Sequence, residues 1–403
     1  MIGLADLDFL TSARGESLLV RLESADLSDS AALPLVERLR RDFTREEVRA
    51  ALTLARLRRQ AVDKFGEQAK RLYFTDSALQ QASHPAVRAY RARQVGPLAV
   101  LDAGCGIGAD SLAFAAAGAD VLGIDIDPLR VALARLNAAA LGFDSARFEV
   151  ADITGDLPPG RELVFFDPAR RDAQGRRLFD VERYQPPLST LRRWQAGRVV
   201  VKLSPGVDLA QLDAYAGRVE FIAVDDDLKE AVLWHSPAEA RDVQATLLTG
   251  GQALHWLRTE EPEAVPLSAP RDWLIEPNPA LIRAGLVQDI AAAVDGALLD
   301  ETIAYVTADR QPATPWVRGW RVLEWLPFNL KRLRAALRAH DAGTVTVKKR
   351  GSPLTPETLI PRLKLKGSQS RTLVLTRHAG QPIVMICADF VPSQQTNCAD
   401  YTV

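Results

Sequence analysis

The chain has 403 residues, 47% of them hydrophobic and 25% charged, with a formal net charge of -1 at pH 7. It is too long for one ordinary core, which points to two or three domains, and too apolar for disorder. Acids are scattered through the opening MIGLADLDFLTSARGESLLV and no stretch reaches 18 uninterrupted apolar residues, so no signal peptide or membrane span is expected and the cytoplasm is the expected location.

Residues 1–96 read as a helical domain. TREEVRAALTLARLRRQAVDKF opens with Thr44 and Glu47 at capping-box spacing and carries Val48, Leu52, Ala55 and Val62 near helical spacing, with Arg and Lys on the other faces. From Pro97 short apolar runs alternate with helical stretches: LAVLDAG, ADVLGIDID, ARFEVADI, ELVFFDPA and RVVVKLSPG, followed by the closely spaced RVEFIAVDDD and EAVLWHS. Five strand-plus-helix units predict an α/β, doubly wound parallel sheet over residues 97–245 that ends in an antiparallel hairpin.

Residues 246–275, running into the Pro- and acid-rich EEPEAVPLSAPRDWLIEPNPA, read as a linker or extension. A small α/β domain follows over residues 276–403, with strands at TIAYVTAD, WRVLEWLP, GTVTVKKRG, RTLVLTRH and QPIVMICADF and helices at NLKRLRAALRAH and PETLIPRLKLKG. The three cysteines, Cys105, Cys387 and Cys398, match no zinc spacing and read as free thiols, and no metal site is expected.

The most informative stretch is LDAGCGIGAD, residues 101–110. Gly104, Gly106 and Gly108 stand between a strand and a helix, and an acid, Asp125, ends the next strand 17 residues beyond the last glycine. A dinucleotide would bring a pyrophosphate to such a turn, and Asp102 would repel it. S-adenosylmethionine brings an ammonium and a sulfonium, which a carboxylate attracts.

With these residues the chain resembles the class I S-adenosylmethionine-dependent methyltransferases, a Rossmann-like family whose first motif reads D-x-G-x-G-x-G. The likeness covers about residues 97–236. It implies that Asp102 sits near the methionine ammonium, that Gly104, Gly106 and Gly108 let the backbone pass the cofactor, and that Asp125 with Ile126 lies at the ribose. It also implies that Asp152 and Ile153 contact the adenine. Upstream, FTDSALQQASHPAVRAYRARQ resembles the segment some of these enzymes fold over the cofactor, with Gln81 and Ser83 as contacts; His84 reads as a surface or cap residue. Asp167, Pro168 and Arg170, in the DPAR that follows the fourth strand, take the acceptor position. Ala169 and Arg170 replace the second proline and the aromatic of the amino-directed pattern, so an amino nitrogen is suggested as acceptor, and Arg170 and Arg171 are candidates to stack on a base or clamp a phosphate.

Charge is segregated along the chain. From Asp208 to Arg310 there are 19 acidic and 7 basic residues, and from Gln311 to Gly380 there are 14 basic and 3 acidic. Lys331, Arg332, Arg334, Lys348, Lys349, Arg350, Arg362, Lys364 and Lys366 suit a phosphate backbone, with Trp316, Trp320 and Trp325 as stacking faces or core. A methyltransferase followed by a small basic α/β module resembles bacterial proteins with a C-terminal THUMP-like domain, which implies an RNA substrate. A cofactor- and RNA-binding protein without turnover and a small-molecule methyltransferase are the alternatives.

Overall fold

In the computed structural model, which describes residues 2–171, 174–194, 196–258 and 264–393, the N-terminal region is helical: α1 Leu4–Leu10, α2 Ala13–Glu23, α3 Asp29–Leu39, α4 Arg45–Gln60, α5 Val62–Phe65, α6 Asp76–Gln81 and α7 Pro85–Val95. Thr44 and Glu47 form the expected capping box, with the Thr44 N–H donating to Glu47 Oε2 at 2.8 Å and the Glu47 N–H to Thr44 Oγ1 at 3.2 Å. Val62 departs from expectation: α4 ends at Gln60, and Val62 opens a separate turn where it is 42% exposed. Leu10, Leu18, Leu54 and Phe74 are fully buried in one core that also takes Ile107 and Leu133 from the region after Pro97. Burial of each such side chain contributes about 1.5–3 kcal/mol.

Two compact units divide the chain. One comprises Met1–Val219 and Lys229–Arg241, the other Glu220–Leu228 and Asp242–Val403. In the first, β1 Ala99–Ala103, β2 Asp120–Asp125, β3 Ala146–Val150, β4 Leu163–Phe166 and β5 Val199–Leu203 pair in parallel, with helices α8 Ala109–Ala116 and α9 Pro128–Leu141. β7 Asp227–His235, most of it in the same unit, extends the order to β3-β2-β1-β4-β5-β7; most of β6 Gly217–Val224, with β8 Asp242–Thr249 and β9 Gln252–Leu257, belongs to the second unit. β7 runs antiparallel to β5.

Two expectations are corrected. Among the described residues, the crossovers after β3, β4 and β5 contain only loops and short 3-10 turns at Val181–Arg183, Leu188–Arg193 and Leu209–Leu212. Pro158–Pro159 and Pro186–Pro187 remove donors that a helix needs there. The linker or extension expected from residue 246 begins instead with the second half of β8 and all of β9, an antiparallel pair turned by Gly250 and Gly251 at φ +55° and +79°. Two consecutive glycines at positive φ match the twist of a tight hairpin, a signal present in TLLTGGQAL.

The second unit holds a seven-stranded sheet, ordered β11-β12-β10-β13-β16-β15-β14. Its elements are β10 Trp273–Pro277, α10 Pro279–Arg283, α11 Val287–Ala293, β11 Ala297–Asp300, β12 Ile303–Ala308, β13 Val317–Pro327, α12 Leu330–Ala339, β14 Ala342–Lys349, α13 Pro356–Leu363, β15 Gln369–His378 and β16 Gln381–Val391. Leu333, Leu337, Leu359 and Leu363 bury one face of α12 and α13 against Leu373, Leu375, Val384 and Ile386. No helix among the described residues is long and apolar enough to cross a membrane. Cys398 lies outside the described residues; Cys105 and Cys387 are buried free thiols.

Candidate functional site

The order β3-β2-β1-β4-β5 reverses direction between β1 and β4, and an open parallel sheet binds ligands in the crevice at such a reversal, beyond the strands' carboxyl ends. Both sequence candidates end there. Asp102 is the fourth residue of β1, in register with Phe165 of β4, and Asp167 follows β4 directly. Gly104 has φ +88°, and a Cβ on it would stand 3.0 Å from the Asp167 carbonyl oxygen, so glycine is required both by conformation and by the approach of the two strand ends. The neighbouring β2 needs Gly123 for a different reason: a Cβ there would lie 2.5 Å from the Phe148 ring, which closes the floor under the glycine turn.

Asp102 is buried, and the Ser111 hydroxyl donates to its Oδ2. Its Oδ1 is buried with no hydrogen-bond partner among the described residues. Burial pushes the carboxyl up to about 8, against the opposing effect of Ser111. An ammonium is a donor of the right charge for this orphaned oxygen, so the donor set fits the cofactor expected from the motif. Below about pH 8 the free protein holds this carboxyl protonated, and a ligand cation needs it ionised. Cofactor binding at pH 7 is therefore expected to release close to one proton, and affinity to rise with pH until about 8. Titration calorimetry in two buffers of different ionisation heat checks this; identical heats would show that Asp102 keeps its proton.

Asp125 is buried at the end of β2, where Oδ2 accepts the Gly106 N–H at 3.0 Å and Oδ1 the Asp127 N–H at 2.9 Å. Arg130 Nη1 lies 3.7 Å from Asp125 Oδ2. Ile126 beside it is 70% exposed. Asp152 is exposed and accepts the Thr154 N–H at 2.8 Å, which lowers its pKa, while Ile153 is buried and its carbonyl accepts Trp194 Nε1–H at 3.3 Å. Gln81 ends α6 exposed. Ser83 is buried and donates to Asp110 Oδ2 at 3.3 Å, and His84 caps α7 by accepting the Ala86 N–H, at 3.3 Å, on Nδ1.

Two residues unremarked in the sequence complete the arrangement. Lys202, near the end of β5, is 3% exposed, and its Nζ donates to Asp167 Oδ2 at 2.7 Å. Its signal was legible as the one cation inside the apolar run VVVKL. Arg91 of α7 is fully buried, ion-pairs with both Asp110 and Glu230, and lies 4.7 Å from the centre of the Phe165 ring. Burial would raise Asp110, but Arg91, Lys202 and Arg88 together hold it below the usual carboxylate range. α7 is thus pinned to the first turn of α8, directly after the glycine turn.

After Asp167 and Pro168 the loop is fixed by backbone pairing of Ala169 with Gln185, at 2.9 and 3.0 Å, and by the Leu178 N–H donating to Arg170 O at 2.9 Å. Arg170 Nη2 stands 3.8 Å from Asp167 Oδ1. Arg171 turns to Gly175, donating to its carbonyl at 2.8 Å. Among the described residues there is no group of three or more His, Cys, Asp or Glu placed to hold a metal.

In the second unit the basic stretch is partly committed internally. Lys348 Nζ donates to the buried Glu276 at 2.8 Å and lies 4.2 Å from the Trp320 ring centre; Arg318 bonds the same carboxylate at 2.6 Å, and Arg350 lies 3.5 Å from it. Burial raises Glu276, but these cations hold it below its ordinary value. Lys348 and Arg350 thus contact an internal carboxylate, and with Arg318 they outnumber its single charge. Trp316 and Trp320 are core, at 3% and 4% exposure, rather than stacking faces. Lys331, Arg332, Lys349, Lys364 and Lys366 remain exposed.

Comparison with known proteins accords with this geometry. Residues 96–163 match the family described as a methyltransferase domain, residues 317–389 the THUMP domain-like family, and residues 3–61 a domain of unknown function. A Mycobacterium tuberculosis protein described as an uncharacterised S-adenosylmethionine-dependent methyltransferase is 37% identical over 334 residues, 80% of this chain and 90% of its own. The 23S rRNA (uracil(1939)-C(5))-methyltransferase of Aeromonas salmonicida is 42% identical over 80 residues, 18% of each chain. A crystal structure from Porphyromonas gingivalis, described as a methyltransferase, superposes with a TM-score of 0.72 at 20% identity, covering 94% of this chain and 99% of that one; it shows the shared fold.

Proposed function

Since the chain belongs to the S-adenosylmethionine-dependent methyltransferases, we propose that it methylates a base of RNA, transfer or ribosomal, at an exocyclic amino nitrogen. The carrying observation is the Asp167–Lys202 pair at the β1/β4 crevice, against Gly104. Lys202 engages Oδ2, and Oδ1, which has Arg170 Nη2 at 3.8 Å, beyond hydrogen-bond distance, accepts an N–H from the acceptor, which aims the nitrogen lone pair along the line of transfer.

The cofactor supplies an electrophilic methyl group. Asp102 would hold its ammonium, Asp125 and Ile126 the ribose side, Asp152 and Ile153 the adenine, and Gln81 the methionine end, while Gly104, Gly106 and Gly108 admit it without a Cβ in the way. Asp167 Oδ1 orients the acceptor and takes its proton late, once methylation has made that nitrogen acidic; no strong base is needed. Pro168, which has no N–H, holds the loop's direction. Arg170 would meet a phosphate beside the target base.

Support for RNA comes from the THUMP domain-like region, from the exposed cations around α12 and α13, and from the short matches to RNA methyltransferases. The position named for the Aeromonas relative, a pyrimidine C5, is not carried over: attack there needs a thiolate that adds to the ring. Burial raises Cys105 well above and Cys387 to about 12, so neither described thiol suits it. We assign methyl transfer to residues 97–245 and RNA holding to residues 276–403, and place the protein in the cytoplasm with its substrate.

The test is transfer of labelled methyl to RNA from a strain lacking the gene, followed by nucleoside mass spectrometry. Label on an amino-methylated base is the expected result; label confined to small metabolites would overturn the RNA reading. A companion expectation is that replacing Lys331, Arg332 and Lys364 by Ser flattens the log-log salt dependence of RNA binding by up to about two units, at roughly 0.7 per phosphate contact. Filter binding across a salt series reads it, and an unchanged slope removes these cations from the interface.

A further inference from the structure

The helical region of unknown function carries a cavity of about 880 Å³, within the roughly 300–1,000 Å³ of ligand sites. Arg45, Arg49 and Arg56 of α4 line one side at near-helical spacing, Arg40 at the end of α3 and Arg130 in the first turn of α9 complete it, and Asp76 and Asp127 also line it, while Asp6 and Asp125 pair with Arg49 and Arg130. The floor is apolar, formed by Val36, Leu52 and Leu129 among others.

The cations are not equally occupied. Arg49 pairs with Asp6, Arg56 donates to the Leu27 carbonyl at 3.3 Å, and Arg130 stands 3.6 Å from Asp127. Arg40 and Arg45 are exposed and make no side-chain hydrogen bond or ion pair among the described residues. Arg130 also lies 3.7 Å from Asp125, so the cavity opens beside the second strand end of the catalytic crevice.

The geometry points to a second RNA subsite: this cavity holds single-stranded nucleotides flanking the target base, with phosphates on Arg40 and Arg45 and a base on the apolar floor. This rests on the RNA reading above and extends it to the N-terminal helices. Single-stranded RNA suits the site because its unstacked bases enter a concavity that a rigid duplex does not. Guanidinium groups offer phosphate a two-pronged set of donors, and an aliphatic floor accepts a base face without selecting its sequence.

The test uses the full chain and a fluorescein-labelled single-stranded 12-mer RNA of mixed sequence, read by anisotropy across a salt series. Arg40→Glu with Arg45→Glu is expected to weaken binding at least ten-fold and to lower the log-log salt slope by about 1.4, two contacts at roughly 0.7 each, with S-adenosylmethionine affinity unchanged. Arg38→Glu with Arg41→Glu, the same charge change on exposed arginines outside the cavity, is expected to cost less than about three-fold. Ultraviolet crosslinks should map to residues 36–57. Wild-type affinity in the Arg40/Arg45 variant, with wild-type protein still binding RNA, overturns the subsite and leaves the RNA reading standing. An equal loss in both variants reduces the effect to overall charge and also overturns it. Failure of wild-type protein to bind RNA defeats both readings, and preferential capture of a poly-glutamate peptide by Arg40 and Arg45 assigns the cavity to a protein partner instead.

Discussion

Replacing Lys202 by Met is expected to slow methyl transfer about 100-fold, or about 2.7 kcal/mol of transition-state stabilisation, while S-adenosylmethionine affinity stays within about three-fold. Met fills the volume of the buried lysine stem but gives Asp167 no donor, so the carboxylate loses the bond that fixes its direction. Asp167→Ala should lose a similar factor. Because the two act as one unit, the double variant should be little slower than either single variant. Lys202→Arg keeps the charge and should recover part of the rate. Single-turnover transfer together with calorimetric cofactor titration separates these effects. Full activity in Lys202→Met would place the acceptor away from Asp167, and strictly additive losses would mean the pair does not act jointly.

Arg91→Ala should lower folding stability by about 3–5 kcal/mol, the usual cost of stripping one partner from a buried ion pair. Arg91 is fully buried between Asp110 and Glu230, both of which stay buried when it goes. For a unit of this size the melting midpoint should fall on the order of 10 °C. Asp110 supplies a sign for the pH dependence. Its folded value lies below the unfolded one, so its contribution in the wild type is present above about pH 4 and is lost as pH falls through the folded value. Without Arg91 burial dominates and the carboxyl rises, so the variant's deficit should shrink as pH drops from 7 towards 5. Arg91→Met, which retains volume, separates packing from charge. Thermal unfolding followed by circular dichroism reads all three proteins, and a midpoint unmoved by Arg91→Ala would make this pair dispensable.

Local pattern was enough for much of this protein. The alternation of apolar runs after Pro97 named β1 through β7, because a strand buried on both faces has few residue types to choose from. The glycine turn between β1 and α8, with Asp125 at the next strand end, set a nucleotide-cofactor frame, the charge of Asp102 favoured S-adenosylmethionine over a dinucleotide in it, and Thr44 with Glu47 named the start of α4. These features act within a few residues of chain, so no distant neighbour can revise them. The Gly250–Gly251 hairpin is equally local, although the prolines and acids that follow it read as a linker or extension.

What required folding was every feature whose meaning is a partner. Lys348 and Arg350 look like surface cations until β10 brings Glu276 beneath them, and Trp316 and Trp320 look like stacking faces until the seven-stranded sheet buries them. Lys202 reads as an interruption in a strand until β5 lies beside β4 and delivers it to Asp167, 35 residues away in the chain. Arg91 and Glu230 are 139 positions apart by number, yet share one buried charge. The reason is physical: the pairing of a buried charge is set by which strands and helices adjoin, and adjacency across the sheet is not encoded at any single position along the chain.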